Sequence, residues 1–250
     1  MPNKHSIVVK NISKKYDNKE QKEKVVFDCF NAEFEKGKVH CLLGASGSGK
    51  STLLRIVAGL EKYDDGEVVF DEEKNSLAMI FQENNLLPWL TVYKNILFSY
   101  KSWLKSQKIK CDRAVAEKII TELLEKYDLL QFKNYYPFEL SGGLKQKVTL
   151  VKTLITKPDI VLLDEAFSAL DFMSKDMIHE IFLSEFAKRQ FTTVLSTHDI
   201  HEAIELGDYI HLINKNNYYK IKNTLKVPRK DDENFDEFLK LITEKYKQGD

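Results

Sequence analysis

The sequence predicts an α/β protein whose sheet core is interrupted by an inserted helical subdomain. Near both ends of the chain, segments with strand patterns alternate with segments whose apolar residues recur at helical spacing. The segment "IVLLD", residues 160–164, is apolar until its last residue, which is typical of a buried parallel strand. A long middle block has mostly helical periodicity. We therefore expect one domain over residues 1–250, with a core at about 1–85 and 150–250 and a helical subdomain at about 86–149.

The first part of the chain contains the strands and the first helix of this core. Strand patterns rich in Val and Phe occur in "HSIVVKNI", "KVVFDCFNAEF" and "KVHCLL". The next segment, "STLLRIVAGL", has its Leu and Val residues at helical spacing. The segment "GEVVFDEEKNSLAMIFQ" then predicts two short strands joined by a charged turn.

The helices follow, and the strands then return. Helical periodicity extends from about Val92 to Asp128, with a looser linker near residues 105–110, and it resumes after Leu140. Beyond "IVLLD", the segments "FTTVLSTHD" and "DYIHLIN" predict two strands around a helix. The segment "ENFDEFLKLITEKYKQ" places its aromatic and aliphatic residues on one face of a C-terminal helix.

Composition describes an ordinary soluble globular protein, with 43% hydrophobic and 30% charged residues. Lys+Arg and Asp+Glu balance at 38 each, so no global field favours nucleic acid, and we expect no nucleic-acid partner. The sequence has no apolar run of the ~18 residues that a membrane-spanning helix needs, and no secretory signal. The 3 cysteines lack metal or redox spacing, which fits reduced thiols in the cytosol.

A glycine-rich loop between a predicted strand and a predicted helix points to phosphate binding. Residues 44–51, "GASGSGKS", match G-x-x-x-x-G-K-[ST] at every fixed position. The glycines let backbone N–H groups surround a phosphate, Lys50 can reach the β- and γ-phosphates, and the Ser51 hydroxyl can ligate Mg²⁺. A plain glycine turn with a surface lysine is the weaker alternative, because strand and helix flank the loop. The candidate binding residues are Gly44, Ala45, Ser46, Gly47, Ser48, Gly49, Lys50, Ser51 and Thr52.

Two carboxylates leave the end of the apolar strand. Ligands of open α/β sheets lie at the carboxyl ends of the strands, where Asp164 and Glu165 are expected. Asp164 can help to hold Mg²⁺, and Glu165 can polarise the water that attacks a γ-phosphate. A lone Asp-Glu pair is more often a polar strand exit, but its combination with the phosphate loop favours catalysis.

A second glycine turn, "LSGG" at residues 140–143, precedes another helix. Ser141 can cap that helix. The purely structural alternative is that the turn is only a good helix start. The chain also contains "ISKKY", "IFQ", "SALD" and "STHD". In this order, the motifs resemble the nucleotide-binding subunits of ABC transporters over nearly the whole chain.

The resemblance implies a P-loop NTPase core of ABC type with an antiparallel β subdomain and an inserted α-helical subdomain. It also implies that the chain is an ATP hydrolase that uses ATP and Mg²⁺. Tyr16 would stack on adenine, Gln82 would contact Mg²⁺ and sense the γ-phosphate, and His198 would be the switch histidine. As alternatives, Tyr16 could cap a hairpin, Gln82 could face solvent and His198 could be an ordinary strand-end residue. The other histidines lack such context and receive no role.

The resemblance further implies a homodimer. The signature residues Ser141, Gly142 and Gly143 would close over the γ-phosphate held by the partner, and Asp171 would belong to the D-loop of "SALD". Two identical composite sites would result from the two-fold axis. This family accounts for the second glycine turn, because the first already surrounds the chain's own phosphates.

The segment "LLPWLTV", which contains Leu86–Trp89, resembles importers of the nitrate, sulfonate and taurine group, which includes transporters of thiamine precursors. It implies transmembrane permease subunits docked at this segment, an external substrate-binding protein, and a place at the cytoplasmic face of the membrane. Core packing of Leu86, Leu87 and Trp89 is an equal alternative. Alternatives for the whole chain are an exporter ATPase, or an ABC ATPase acting on nucleic acid or protein assemblies. Lys147, Lys152 and Ala166 depart from the arginines and proline usual in the family.

Overall fold

The computed structural model describes residues 5–16, 24–71, 76–168, 170–214, 220–228, 232 and 234–247. The strands are β1 (His5–Tyr16), β2 (Lys24–Glu35), β3 (Val39–Leu43), β4 (Asp65–Phe70), β5 (Leu77–Ile80), β6 (Ile160–Asp164), β7 (Thr192–Thr197), β8 (Tyr209–Asn214) and β9 (Lys220–Lys226). The α-helices are α1 (Lys50–Val57), α2 (Val92–Ser106), α3 (Arg113–Lys126), α4 (Gly142–Leu154), α5 (Phe172–Arg189), α6 (Ile200–Leu206) and α7 (Phe235–Lys247). Short 3₁₀ turns at Leu130–Phe132 and Pro137–Glu139 lie between α3 and α4.

The chain divides into two compact units. The first comprises Met1–Met79, Asp159–Glu165 and Gln190–Asp250, and the second comprises Ile80–Pro158 and Ala166–Arg189. The second unit contains more of the chain than the subdomain expected at about 86–149. The difference arises mainly from α5, a helix that the sequence patterns did not single out.

The first unit is built on two sheets, as the predicted fold class requires. Strands β2, β1 and β4 form an antiparallel sheet in that order. The larger sheet has the order β5-β6-β7-β3-β8-β9, with parallel pairing from β6 to β8 and antiparallel pairing of β9. Every residue of β3, β6 and β7 is buried, including the polar residues of β7, as expected for parallel strands that are covered on both faces. The parallel strands therefore end at the same edge, where their following loops meet.

A hydrophobic cluster fixes α1 in this unit. Phe27, Phe30 and Phe34 of β2 are fully buried together with Leu53 and Leu54 of α1. Burying a large apolar side chain stabilises a fold by about 1.5–3 kcal/mol relative to leaving it exposed. The loop between β3 and α1 is therefore anchored on both sides by well-packed elements.

The second unit is helical, and its helices begin at side-chain caps. Thr91, Asp112 and Ser141 each accept a hydrogen bond from a backbone N–H in the first turn of α2, α3 or α4. The guanidinium of Arg189, at the end of α5, donates to the backbone oxygens of Leu154 and Pro158 at 3.2 and 3.1 Å. These bonds connect α5 to the end of α4. Across the ranges described above, no helix is long and apolar enough to cross a bilayer.

The amino ends of β3 and β8 carry a buried histidine pair, His40 and His211, whose ring nitrogens Nδ1 and Nε2 lie 3.0 Å apart. The backbone oxygen of Glu35 can only accept, so His40 Nε2, at 3.1 Å from it, carries a proton. In the neutral pair, His40 Nδ1 therefore accepts from His211 Nε2, and His211 Nδ1 accepts from the Thr224 hydroxyl at 3.0 Å. Burial lowers the pKa of His40 to about 4 and that of His211 to about 3, so both rings are neutral near pH 7.

Candidate functional site

The glycine loop follows β3 and opens directly into α1. Gly49 occupies the N-cap position in the left-handed region, with φ of +87°, and no side chain caps the helix. A Cβ at Gly49 would lie 3.0 Å from Val26 Cγ1, and one at Gly44 would lie 2.6 Å from the backbone oxygen of Ile213. The loop thus needs glycine at both ends, and the first-turn N–H groups of α1 have no capping side chain to bind. This geometry suits an anion.

Lys50, the first residue of α1, points back into the loop. Its side chain is 3% exposed, and Nζ donates to the backbone oxygens of Gly44 at 2.7 Å and Ala45 at 3.0 Å. Nζ also lies 3.7 Å from Glu165 Oε1. Burial lowers the pKa of Lys50, and the charges of Glu165 and Asp164 oppose that effect. The ammonium is therefore placed where a phosphate could replace its carbonyl partners.

Ser51 and Asp164 meet at the edge of the parallel sheet. Ser51 Oγ donates to Asp164 Oδ1 at 2.6 Å, and Ser196 Oγ in β7 donates to the same oxygen at 2.9 Å. Asp164 is 3% exposed, so these hydroxyls fix its rotamer. One hydroxyl and one carboxylate are oxygen ligands of the kind that Mg²⁺ prefers beside substrate phosphates, so the residues fit a magnesium ion. The sequence had not singled out Ser196, although it lies two residues before His198.

Glu165 adopts a backbone conformation that is unusual for a residue with a side chain. Its φ is +44°, and its N–H is held by the backbone oxygen of Ser196 at 3.2 Å and by Ser196 Oγ at 2.9 Å. The carboxylate lies between two basic groups, with Oε1 3.7 Å from Lys50 Nζ and Oε2 3.6 Å from His198 Nδ1. Strained residues of this kind cluster at functional sites. The strain here aims the carboxylate at the phosphate loop side of the sheet edge.

His198 follows β7 and remains accessible, with 54% of its side chain exposed. Its backbone oxygen accepts from Tyr246 Oη of α7 at 3.2 Å. Asp199 caps α6 by accepting from the N–H of His201 at 2.9 Å. The backbone around His198 is therefore held on both sides, while its ring stays accessible beside Glu165.

Tyr16, at the end of β1, is 37% exposed. Its Oη lies 3.4 Å from Oγ1 of Thr52, which belongs to the first turn of α1. The first unit thus brings together Lys50, Ser51, Asp164, Glu165 and His198, with the Tyr16 ring near the same helix.

The remaining candidates belong to the second unit. Gln82 is exposed, as are Ser141 and Gly142. Ser141 Oγ accepts from the N–H of Leu144 at 3.3 Å, so the predicted cap is present. A Cβ at Gly142 would meet no atom within 4 Å, whereas one at Gly143 would lie 2.4 Å from Ser174 Oγ.

Ser174 connects the signature turn to the D-loop, a role that the sequence did not reveal. Ser174 N donates to Asp171 Oδ1 at 3.0 Å and Ser174 Oγ donates to Asp171 Oδ2 at 2.7 Å. These bonds lower the pKa of Asp171. Within "SALD", Ala169 lies outside the described residues. An Asp three residues before a Ser at a helix start was the available signal.

The segment around Leu86–Trp89 is partly packed and partly exposed. Leu86 is buried at 8% exposure, while Trp89 is 70% exposed. Asn95, 1% exposed, holds the backbone here: its Oδ1 accepts from the N–H of Leu87, and its Nδ2 donates to the backbone oxygens of Leu87, Leu90 and Thr91. The segment is thus a rigid loop that presents an indole to solvent.

The two lysines that stand where the family usually has arginine belong to the second unit, and Lys147 is buried while Lys152 is half-buried. Lys147 is 5% exposed, and its Nζ lies 3.2 Å from Met177 Sδ. Lys152 donates to the backbone oxygen of Asn85. Burial lowers the pKa of both lysines. A sulfur and a carbonyl group are weaker partners for an ammonium than a carboxylate.

Known proteins resemble this chain in sequence and in fold. The ABC transporter family model matches residues 27–168. The aliphatic sulfonates import ATP-binding protein of Bacillus cereus is 36% identical over 94% of this chain and 94% of its own length. The nitrate import ATP-binding protein of Synechocystis is 37% identical over 73% of this chain and 68% of its own.

Among solved structures, the ATP-binding cassette MJ0796, in its dimeric post-hydrolysis state bound to ADP and Pi, superposes with a TM-score of 0.77. It is 26% identical, over 89% of this chain and 99% of that one. The ABC ATPase fold is thereby confirmed. The chain therefore belongs to the ABC transporter family, as one of its ATP-binding, ATP-hydrolysing subunits.

Proposed function

We propose that this chain is the ATP-hydrolysing motor subunit of an importer, that it dimerises around two ATP molecules, and that it drives a small solute through a separate membrane permease. The observation that carries the proposal is the pairing of a pre-built phosphate site in the first unit with an exposed signature turn in the second. Each chain would supply one complete holding site and one turn offered to the partner's nucleotide.

In the holding site, the loop from Gly44 to Gly49, with Lys50, binds the phosphates, and Tyr16 stacks on adenine. Ser51 and Asp164 would hold Mg²⁺, with Gln82 as the further ligand that the family resemblance implies, and the ion would neutralise charge on the phosphates. Lys50 Nζ exchanges its carbonyl partners for phosphate oxygens, because a charge-assisted bond is stronger than a bond to a neutral carbonyl group.

During hydrolysis, Glu165 accepts a proton from the attacking water. The water oxygen bonds to the γ-phosphorus, and the bond from that phosphorus to the bridging oxygen breaks, so ADP leaves with the electron pair. Lys50 stabilises the charge that develops on the departing oxygens. His198 Nδ1, 3.6 Å from Glu165 Oε2, orients the carboxylate and senses the γ-phosphate.

The importer assignment rests on the relatives named above, which are import ATP-binding proteins for sulfonates and nitrate. We infer a solute of the nitrate, sulfonate, taurine or thiamine-precursor type, a permease that contacts Leu86–Trp89, and an external binding protein. The exposure of Trp89 beside a rigid loop supports the permease contact, because large exposed aromatic residues often mark interfaces. The chain would then work at the cytoplasmic face of the membrane.

The test separates binding from turnover. Glu165→Gln should bind ATP with unchanged affinity, lose at least about 100-fold in turnover, and accumulate as ATP-bound dimers in analytical ultracentrifugation. Lys50→Ala should lose nucleotide binding or turnover altogether. Glu122→Gln, at an exposed carboxylate of α3, is the matched control and should behave as the parent. Parental ATPase activity in Glu165→Gln would refute the assignment of Glu165, and normal activity in Lys50→Ala would refute the phosphate site.

A further inference from the structure

The ring of Tyr16 has a cation against one face. Lys14 and Tyr16 are two positions apart in β1, so their side chains lie on the same side of the strand. Lys14 Nζ lies 4.7 Å from the centroid of the Tyr16 ring, within the range of a cation–π interaction. Lys14 is 8% exposed, whereas Tyr16 is 37% exposed. The ring is therefore supported on its inner face and accessible elsewhere.

The ammonium that supports the ring is itself held in place. Glu61, just beyond α1, accepts from Lys14 Nζ at 2.9 Å, and the two side chains are 10% and 25% exposed. The hydrogen bond from Lys14 to Glu61 is the largest cause that raises the pKa of Lys14, so this amine keeps its charge. The pair joins a buried ammonium to a half-buried carboxylate, so it is less exposed to screening by water than a surface pair.

The chain around the pair is also fixed. Asp64 N donates to the backbone oxygen of Ser13 at 2.8 Å, and Lys15 N donates to Asp64 Oδ2 at 2.7 Å. The segment after α1 is thus bonded to the end of β1 on both sides of Lys14. Tyr16 Oη also contacts Thr52 Oγ1 in the first turn of α1. The end of β1 is thus connected both to the start of α1 and to the segment that follows it.

We propose that Lys14 is a positioning residue for the nucleotide base: its ammonium, clamped by Glu61, holds the Tyr16 ring from behind and leaves the opposite face for adenine. The inference rests on the proposed stacking of adenine on Tyr16. A cation draws the ring's π density toward itself, so the free face repels the electron-rich base less and stacks on it better. Lys14 does not contact the nucleotide and acts only through the ring.

The test compares ligands with and without a base. Dissociation constants for ATP and for inorganic tripolyphosphate would be measured by calorimetry for the parent, Lys14→Met and Lys14→Arg. Lys14→Met should weaken ATP binding about 3–10-fold and leave tripolyphosphate binding unchanged, because only the base uses the ring. Lys14→Arg retains a cation and should stay within about 2-fold of the parent for both ligands. Unchanged ATP binding in Lys14→Met, or an equal loss for both ligands, would overturn the proposal.

A double-mutant cycle with Tyr16→Leu separates this inference from the stacking it rests on. If Tyr16→Leu binds ATP as the parent does, the stacking itself fails. If Tyr16→Leu weakens ATP binding and Lys14→Met does not, only the role of Lys14 fails. Lys14→Met should add no further loss to Tyr16→Leu, because Lys14 acts through the ring. Glu61→Gln, which keeps a neutral partner for Lys14, provides a second variant if Lys14→Met does not fold, and a loss confined to ATP is again expected.

Discussion

The phosphate loop of the first unit and the signature turn of the second unit both place glycines at a helix start, yet they differ in burial and in hydrogen bonding. At the phosphate loop, Lys50, Ser51 and Asp164 are buried or half-buried and bonded to one another or to the loop. At the signature, Ser141 and Gly142 are exposed, and a Cβ at Gly142 would find open space. Side chains of the first unit therefore converge on the phosphate loop, whereas the first turn of the signature helix stays exposed.

This difference teaches how one sequence device can serve two purposes. At the helix start that we propose to hold the chain's own ligand, Asp164 and Ser196 of neighbouring strands converge. At the helix start that we propose to act on the partner's nucleotide, the structure shows the cap at Ser141 and one supporting contact. For Gly143 that contact is Ser174, which also fixes Asp171.

The largest expected effect breaks the signature without touching the phosphate loop. Ser141→Asp keeps an N-cap for α4 but brings a negative charge to the surface proposed to meet the partner's γ-phosphate. Turnover should fall about 100-fold or more, because like charges oppose closure, while ATP affinity and the unfolding midpoint stay at parental values. Steady-state ATPase assays and equilibrium nucleotide binding measure the two quantities.

Thr91→Asp makes the same change at the cap of α2 and serves as the control. It should leave turnover within about 2-fold of the parent. ATP hydrolysis at the parental rate in Ser141→Asp would contradict the proposal that the signature turn acts on the partner's γ-phosphate.

A smaller effect distinguishes the two signature glycines. A Cβ at Gly143 would approach Ser174 Oγ to 2.4 Å and Ser174 Cβ to 2.8 Å, so Gly143→Ala should lower the free energy of unfolding by about 1–3 kcal/mol. Gly142→Ala meets no atom and should be neutral, or stabilising by up to about 1 kcal/mol through helix propensity. Urea unfolding measures both.

Ser174→Ala in the Gly143→Ala background should recover part of the loss, since it removes Oγ but retains Cβ. Equal stabilities for the two glycine variants would show that the contact with Ser174 is not a constraint.

The smallest effect per residue is expected from acid, which acts through two histidines of the first unit. The folded-state pKa values of His40 and His211, about 4 and about 3, lie below the ordinary 6.5, so the unfolded chain binds protons more readily. Their stabilisation is full above pH 6.5 and is lost as pH falls toward these lowered pKa values. Between pH 7.5 and 5.5 the expected loss is about 1 kcal/mol per histidine.

Hydrogen exchange followed by mass spectrometry should therefore show a larger loss of protection in β3 and β8 than in α4 when the pH is lowered from 7.5 to 5.5. His201→Gln, at an exposed histidine, should not change this difference. Equal loss of protection in α4 would indicate that other groups dominate the acid response.

Local patterns were enough to place the glycine loop between a strand and a helix and Asp164 at a strand end. The loop, the strand ends and the cap at Ser141 depend on neighbours within a few residues, so the glycine spacing and the apolar run before Asp164 were sufficient signals for them. The fold class followed from the same patterns and is confirmed.

Long-range contacts explain what the sequence did not reveal. His40 and His211 pair because β3 and β8 are adjacent in the sheet, although they lie far apart in the chain. The packing of α5 in the helical unit and the contact between Gly143 and Ser174 likewise need the folded arrangement. No periodicity within one segment encodes such neighbours.

The left-handed backbone of Glu165 has a consequence for engineering. A non-glycine residue there costs about 1–2 kcal/mol that a glycine would not, so Glu165→Gly should relax the backbone even as it removes the proposed base. A library screened for heat resistance alone would therefore enrich variants that no longer turn over ATP. At position 165, thermal stability therefore competes with the proposed catalytic role. Engineering of a more stable protein would have to select for stability and ATPase activity together.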